Sequence, residues 1–488
     1  LYRELLQLKF ASALPPCPAG TRATATLRHA YGLPPALTPF RAGAAGQLDA
    51  TDVAWWSAFD DPVLAELVAE ALEQNRDVRL AAARVEEFAA RVGISRSAAF
   101  PQVGYGADAA RQRRSLEVAP GAAGGDRTSD FFSANLNVGW ELDVWGRIRR
   151  ATEAARADLL AAAEVRRSVI LSLVTSVATG YVGLRGVGAQ REVAREGRAT
   201  RRDTLALFER QLAQGVISQL EVQQVRSELE RTAATIPSLE REIARLENSL
   251  SVLLGRPPGA IPRGRPLDAL ALPPVPAGLP AALLRQRPDL QEAELRMMAA
   301  TSRVGVAEAD FYPRIALSGA LGLASDELSD LVSSDAVFGE IAAGLAGPIF
   351  TAGRLESRLG VAEAQQRQTW LTALRESEDA LVTRSTSVDE LAAQRRRVDA
   401  LSRYADLARA RYDNGYVGYL EVLDAERARF DAVLARIRLE ASLHAAIIGV
   451  YKAFGGGWVT LAEELANEAD AAAAQAAERA AAERAGDE

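Results

Sequence analysis

Hydrophobic and polar positions alternate in two pairs of segments, most strictly in one. Along 131–143 the residues Phe132, Ala134, Leu136, Val138, Trp140 and Leu142 share one parity, and Ser133, Asn135, Asn137, Glu141 and Asp143 share the other. Period two over that length predicts a strand with one apolar face. A second alternating segment, 102–113, precedes it across a Gly/Ser/Asp-rich loop at 120–130. A matching pair lies at 314–323 and 336–347, joined by SDELSDLVSSD, residues 325–335. Each pair predicts a hairpin.

Between the pairs the alternation gives way to long helical patterning. No proline occurs between Pro120 and Pro237, and residues 147–214 form 68 continuous positions. As one helix they would reach ~100 Å, and the 61 residues 354–414 would reach ~90 Å, at ~1.5 Å per residue. Helices of that length need neighbours along their whole course, as in a coiled-coil-like assembly. Helices are also predicted over 62–98 and 280–310, closed by Pro101 and Pro313.

The pattern occurs twice. Leu72, Asp77, Arg84, Arg91-Val92-Gly93 and Pro101 match Leu284, Asp289, Arg296, Arg303-Val304-Gly305 and Pro313 at an offset of 212. Gly146-Arg147 matches Gly353-Arg354 at 207, and GVISQLEV (215–222) matches GYVGYLEV (415–422) at 200. Ordered matches with slowly shrinking offsets predict a duplicated unit. The expected organisation is an arm at 1–51, a first repeat at 52–254, a Pro/Gly-rich linker at 255–279, a second repeat at 280–458 and an Ala/Glu-rich tail at 459–488.

Composition narrows the function. The 488 residues are 48% hydrophobic but only 6% aromatic, as expected of long packed helices. The net charge of −7 argues against a nucleic-acid partner. Cys17 is the only cysteine, and His29 and His444 lie far apart, so no disulfide, metal site or cofactor is expected. No run of 18 apolar residues predicts a spanning helix. No phosphate-cradling GXXXXGK[ST] loop is present, and no serine has a histidine partner at a plausible site, so no enzyme chemistry is expected.

Four strands cannot close a barrel, since the smallest closed barrels have about eight. An open sheet with one apolar face would leave exposed edges. Strands of ~10–12 residues suit a tilted bilayer crossing. Several chains sharing one barrel satisfies all three constraints. A soluble or peripheral coiled-coil scaffold is the alternative that helix hydropathy alone permits.

WWSAFDDPVLAELVAEALEQNRDVRLAAARV (55–85), AAFPQV (98–103), WELDVWGRIRRA (140–151), RPDLQEAE (287–294), the GR at 353–354 and NGYVGYLEVLDAERARF (414–430) resemble the TolC-like outer-membrane efflux proteins, in the branch with NodT and OprM-type channels. The resemblance implies an α+β membrane protein. A homotrimer would share a twelve-stranded barrel, four strands per chain, above a long helical periplasmic barrel. It implies an export channel in the outer membrane of a Gram-negative bacterium, working with a periplasmic adaptor and an inner-membrane pump. Gly215 and Gly415 would mark the tips where the adaptor docks. Glu421 and Asp424, three apart and so on one helix face, would form acidic rings at the gate. Tyr412 stands where the family carries a gate-tethering tyrosine. In the first repeat Glu221 matches Glu421, but Gln224 replaces the second acid. Cys17 would be the lipidated residue, although the prolines of LPPC (14–17) depart from the usual small-residue pattern.

Overall fold

The computed structural model describes residues 55–113, 128–273, 287–310, 312–346 and 353–456. All belong to one unit. The arm with Cys17, the tail at 459–488 and linker residues 274–279 lie outside them.

The predicted helix over 62–98 is two helices, α1 (Pro62–Gln74) and α2 (Arg76–Ser97). Asn75 makes the break. Its extended backbone cannot continue α1. Its side-chain oxygen accepts from the N–H groups of Asp77 and Val78 at 2.8 and 3.2 Å, capping α2. Its side-chain amide donates to the Leu253 carbonyl at 2.9 Å. The sequence reading missed this because apolar spacing runs through the break, while the cap is a tertiary feature.

Next come β1 (Gln102–Arg113) and β2 (Thr128–Leu142), then α3 (Arg147–Ala213), an unbroken helix of 67 residues. α4 (Gln219–Leu253) returns and accommodates Pro237 within it. The order recurs as α5 (Pro288–Ala309), β3 (Arg314–Ser325), β4 (Val337–Ala346), α6 (Arg354–Asp413, 60 residues) and α7 (Tyr419–Ala453). Strand-to-helix turns fall at Gly146 (φ 77°) and Gly353 (φ 74°), whose left-handed backbone disfavours a side chain.

The four strands form one antiparallel sheet in the order β1-β2-β3-β4. Val103 pairs with Val138, Leu136 with Leu321 and Gly319 with Ile341. Paired residues share a face, so Val103, Tyr105, Leu136, Val138, Trp140, Leu317, Leu321 and Ile341 make one apolar surface. It is uncovered: Tyr105 and Ile341 are 90% and 91% exposed. The opposite face carries Asn135, Asn137, Ser318 and Glu340.

The main core lies around α1, the middle of α3, and the ends of α4 and α7. Trp55, Phe59, Leu64, Val174, Tyr181, Leu250 and Ile448 are buried together, and Trp55 stacks on Tyr451 at 5.3 Å. One 18-residue stretch of α3 reaches a mean hydropathy of 1.4, enough on composition to cross a membrane, but 61% of it is buried in the protein. It therefore reads as a core helix. The described part of the linker is also packed, with Ile261, Leu267 and Leu270 in this core. Asp61 is its polar anchor. It accepts from the Tyr181 hydroxyl at 2.7 Å and from the N–H groups of Val63 and Arg265 at 3.0 and 3.1 Å. The Gly264 N–H donates to Tyr181 in turn, at 2.9 Å.

Candidate functional site

Both long helices end in the same turn. Gly215 and Gly415 have φ of 73° and 77°. The Gly215 N–H donates to Leu212 and the Val216 N–H to Gln211, at 2.9 and 3.0 Å. Gly415 and Tyr416 donate to Tyr412 and Arg411 at 2.8 and 2.9 Å. This pair of bonds is the Schellman stop, which needs a left-handed residue at the glycine. The stop satisfies the last carbonyls of a very long helix and reverses the chain within a few residues.

The two hairpin ends are joined by a small core. Phe208, Val222 and Val225 of the first pack with Ala405, Ala408, Tyr419, Val422 and Leu423 of the second. Tyr419 lies between Phe208, at 4.4 Å, and Tyr412, at 5.1 Å. Burial first, and then the negative charge of Glu221, raise the Tyr412 hydroxyl above its usual pKa. Tyr412 therefore stays neutral against the Tyr419 ring. Apolar side chains remain open on the ends: Val216, Leu220, Tyr416 and Leu420 are all exposed.

The acids of the two ends are held differently. Glu221 accepts from the Ser218 N–H at 2.8 Å, closing a capping box on α4. Gly418 replaces the capping serine in the second hairpin. There Glu421 accepts instead from Arg411 Nη1 at 3.0 Å. Asp424 is exposed. Tyr404, Gly418, Leu420, Glu421, Asp424 and Arg427 line an open groove of about 590 Å³. The structure thus brings Glu421 and Asp424 to one groove, with Tyr412 in the core behind it.

Sequence reasoning missed the charged layer that follows. Glu228 of α4 is buried and accepts from Arg231 at 3.0 Å and from Arg427 of α7 at 3.2 Å. Arg231 also holds Asp431 of α7 through two bonds of 3.1 and 2.8 Å. Arg201 of α3 lies 3.9 Å from Glu228 and over the Phe430 ring at 5.1 Å. One acid among many on charged helices gives no sequence signal. Arg411 left a faint one, as a base in the last turn of a helix.

Long paired helices and a sheet whose apolar face is exposed among the described residues are the features that the comparisons with known proteins must account for. The family model for outer membrane efflux proteins matches residues 67–256 and 279–456, and the chain belongs to that family. It is an outer-membrane protein of the Gram-negative envelope. It is similar to the solvent efflux pump outer membrane protein SrpC of Pseudomonas putida, at 37% identity over 408 residues, covering 82% of this chain and 86% of that one. The cation efflux system protein CusC of Escherichia coli is 34% identical over 412 residues, covering 83% and 88%. The solved structure of the outer-membrane channel OprN matches with a TM-score of 0.75 at 32% identity, over 86% of this chain and 97% of that one.

Proposed function

We propose that three copies of the chain form one channel, each contributing four strands to a shared twelve-stranded barrel, and that it exports small solutes past the outer membrane. The uncovered apolar face carries this reading. Its strands are 10 to 15 residues long, long enough to cross the hydrocarbon when tilted. Lipid outside and shared edges at the seams satisfy a sheet that this chain alone leaves open. The polar face, with Asn135, Asn137 and Glu340, would then line the lumen.

Two repeats, 52–254 and 280–458, fit this assembly. Gly146 and Gly353, Gly215 and Gly415, and Gly255 and Gly455 are matched left-handed glycines at corresponding turns. Duplication accounts for the recurrence.

The hairpin ends at Gly215 and Gly415, with their open apolar side chains, suit docking by a periplasmic adaptor that links the channel to an inner-membrane pump. Asp424 would form the exposed acidic ring of the gate, Glu421 a second acid held by Arg411, and Tyr412 part of the tether between the hairpins. Cys17 remains the candidate for lipid attachment. No described feature favours the scaffold alternative, and family membership opposes it. Fractionation of the native envelope tests the reading: the chain should resist salt and alkaline washing and be released by detergent. Release by washing alone would overturn it.

A further inference from the structure

We propose that Trp145, Tyr312 and Arg149 form a seat for a phospholipid headgroup where the strands turn into the helices; this rests on the reading that the apolar sheet face meets lipid. The Trp145 and Tyr312 rings stack at 4.8 Å and 22°. The indole N–H donates to the Pro313 carbonyl at 2.9 Å, so the platform is tethered at its edge. Both rings are nevertheless about half exposed, at 47% and 52%. A stacked, anchored aromatic pair left open is suited to the headgroup level, where amphipathic rings gather.

The depth agrees. From Trp140 to Asp130, which pairs with Arg111, β2 runs ten residues. That is ~34 Å of strand, or ~26 Å of height at a tilt of ~40°, close to the ~25 Å apolar band of such barrels. With the Arg111–Asp130 ion pair at one boundary, Trp140 lies at the other, and Trp145 just beyond it.

The charge is also specific. Arg147 is held by Glu141 at 2.7 Å and Arg150 by Glu153 at 2.8 Å. Arg149 has no carboxylate partner among the described residues. Its main-chain N–H donates to Asp143, while its guanidinium turns back over Gly146, where an added Cβ would lie 2.9 Å from Nη2. A bare glycine thus leaves a guanidinium within a few residues of an aromatic platform. Guanidinium groups favour phosphate through paired, charge-assisted hydrogen bonds. A glycerophospholipid supplies both halves: a phosphate for Arg149, and a glycerol-ester region to lie on Trp145 and Tyr312.

The test uses the purified channel in mild detergent with three probes: phosphatidylglycerol, a diacylglycerol with the same chains, and inorganic phosphate. Retention is read by native mass spectrometry. Phosphatidylglycerol should be retained, and Arg149→Gln should lower that by roughly tenfold, the weight of one charge-assisted contact. Diacylglycerol binding should not change, inorganic phosphate should not compete, and Arg149→Lys should recover part of the loss. Lipid brominated near the headgroup should quench the wild type more than Trp145→Phe. Equal retention in Arg149→Gln, displacement by inorganic phosphate, or an altered oligomer mass in that variant would each overturn the proposal, the last by placing Arg149 at a subunit seam. Bilayer conductance measured in parallel separates the two readings. A channel that conducts but retains no lipid overturns the seat alone, and one that never inserts overturns both.

Discussion

Arg411 and Glu421 face each other across the second hairpin end, guanidinium Nη1 to carboxylate Oε1 at 3.0 Å. The pair ties the last turn of α6 to the first turn of α7 and neutralises one of the two acids in the groove. Asp424, one helical turn on, has its charge exposed. Arg411→Gln should therefore strengthen block by a multivalent cation several-fold, on the scale of ~1 kcal/mol for one freed ligand charge. Asp424→Asn should weaken it. Planar-bilayer recordings check both, and identical block in the two variants would remove this groove from the permeation path.

The charged layer behind the ends predicts a second effect. Glu228→Ala leaves the buried Arg201 without its acid, while the partly exposed Arg427 and Arg231 can turn to water. Loss of the acid from this partly buried network should cost about 1–3 kcal/mol. Lower thermal stability and a leakier closed state are expected. In a double-mutant cycle, Arg231→Ala and Asp431→Ala together should cost less than the sum of the single changes, by up to about 1 kcal/mol for this partly exposed pair. Strictly additive losses would show that the contact has no pairing role.

Gly264 predicts a packing failure. A Cβ there would lie 2.0 Å from Asp61 Oδ1, on the anchor that also holds Tyr181. Gly264→Ala should cost several kcal/mol, at the upper end of single-residue effects. Tyr181→Phe should cost about 1–3 kcal/mol by leaving a buried carboxylate short of a donor. Calorimetric melting of both variants ranks them, and a neutral Gly264→Ala would contradict the described anchor.

Tyr181 also sets an alkaline limit. Burial, reinforced by its bond to Asp61, pushes its hydroxyl from 10.0 up to about 12. The unfolded chain would lose this proton at lower pH than the folded one. The stabilisation is thus complete below pH ~10 and falls as pH rises towards ~12, by up to ~2–3 kcal/mol. Tyr181→Phe should flatten that part of the stability profile. An unchanged slope would assign the alkaline loss to other groups.

Much of this architecture was legible because two periods carry it. Parity placed β1 at its observed limits and β2, β3 and β4 within a few residues of theirs, since one face is apolar over most of the sheet. Glycine placed the turns: Gly146, Gly215, Gly353 and Gly415 all adopt the left-handed backbone that other residues resist. The break at Asn75 was hidden because its cause includes the distant Leu253 carbonyl. The pairing of Glu421 was hidden for a related reason. A helix face can be read from spacing, but the partner on a neighbouring helix depends on how the hairpin closes. Glu228 shows the same limit, for its partner Arg427 on α7 lies about 200 residues further along the chain.

The central claim is that four strands per chain are too few and that copies share the wall. Mass measurement of the channel in mild detergent, by light scattering or native mass spectrometry, with conductance recorded on the same sample, tests it most directly. The account predicts a particle of three chains that inserts into planar bilayers in uniform conductance steps. A monomeric particle, or a trimer that never conducts, would contradict it.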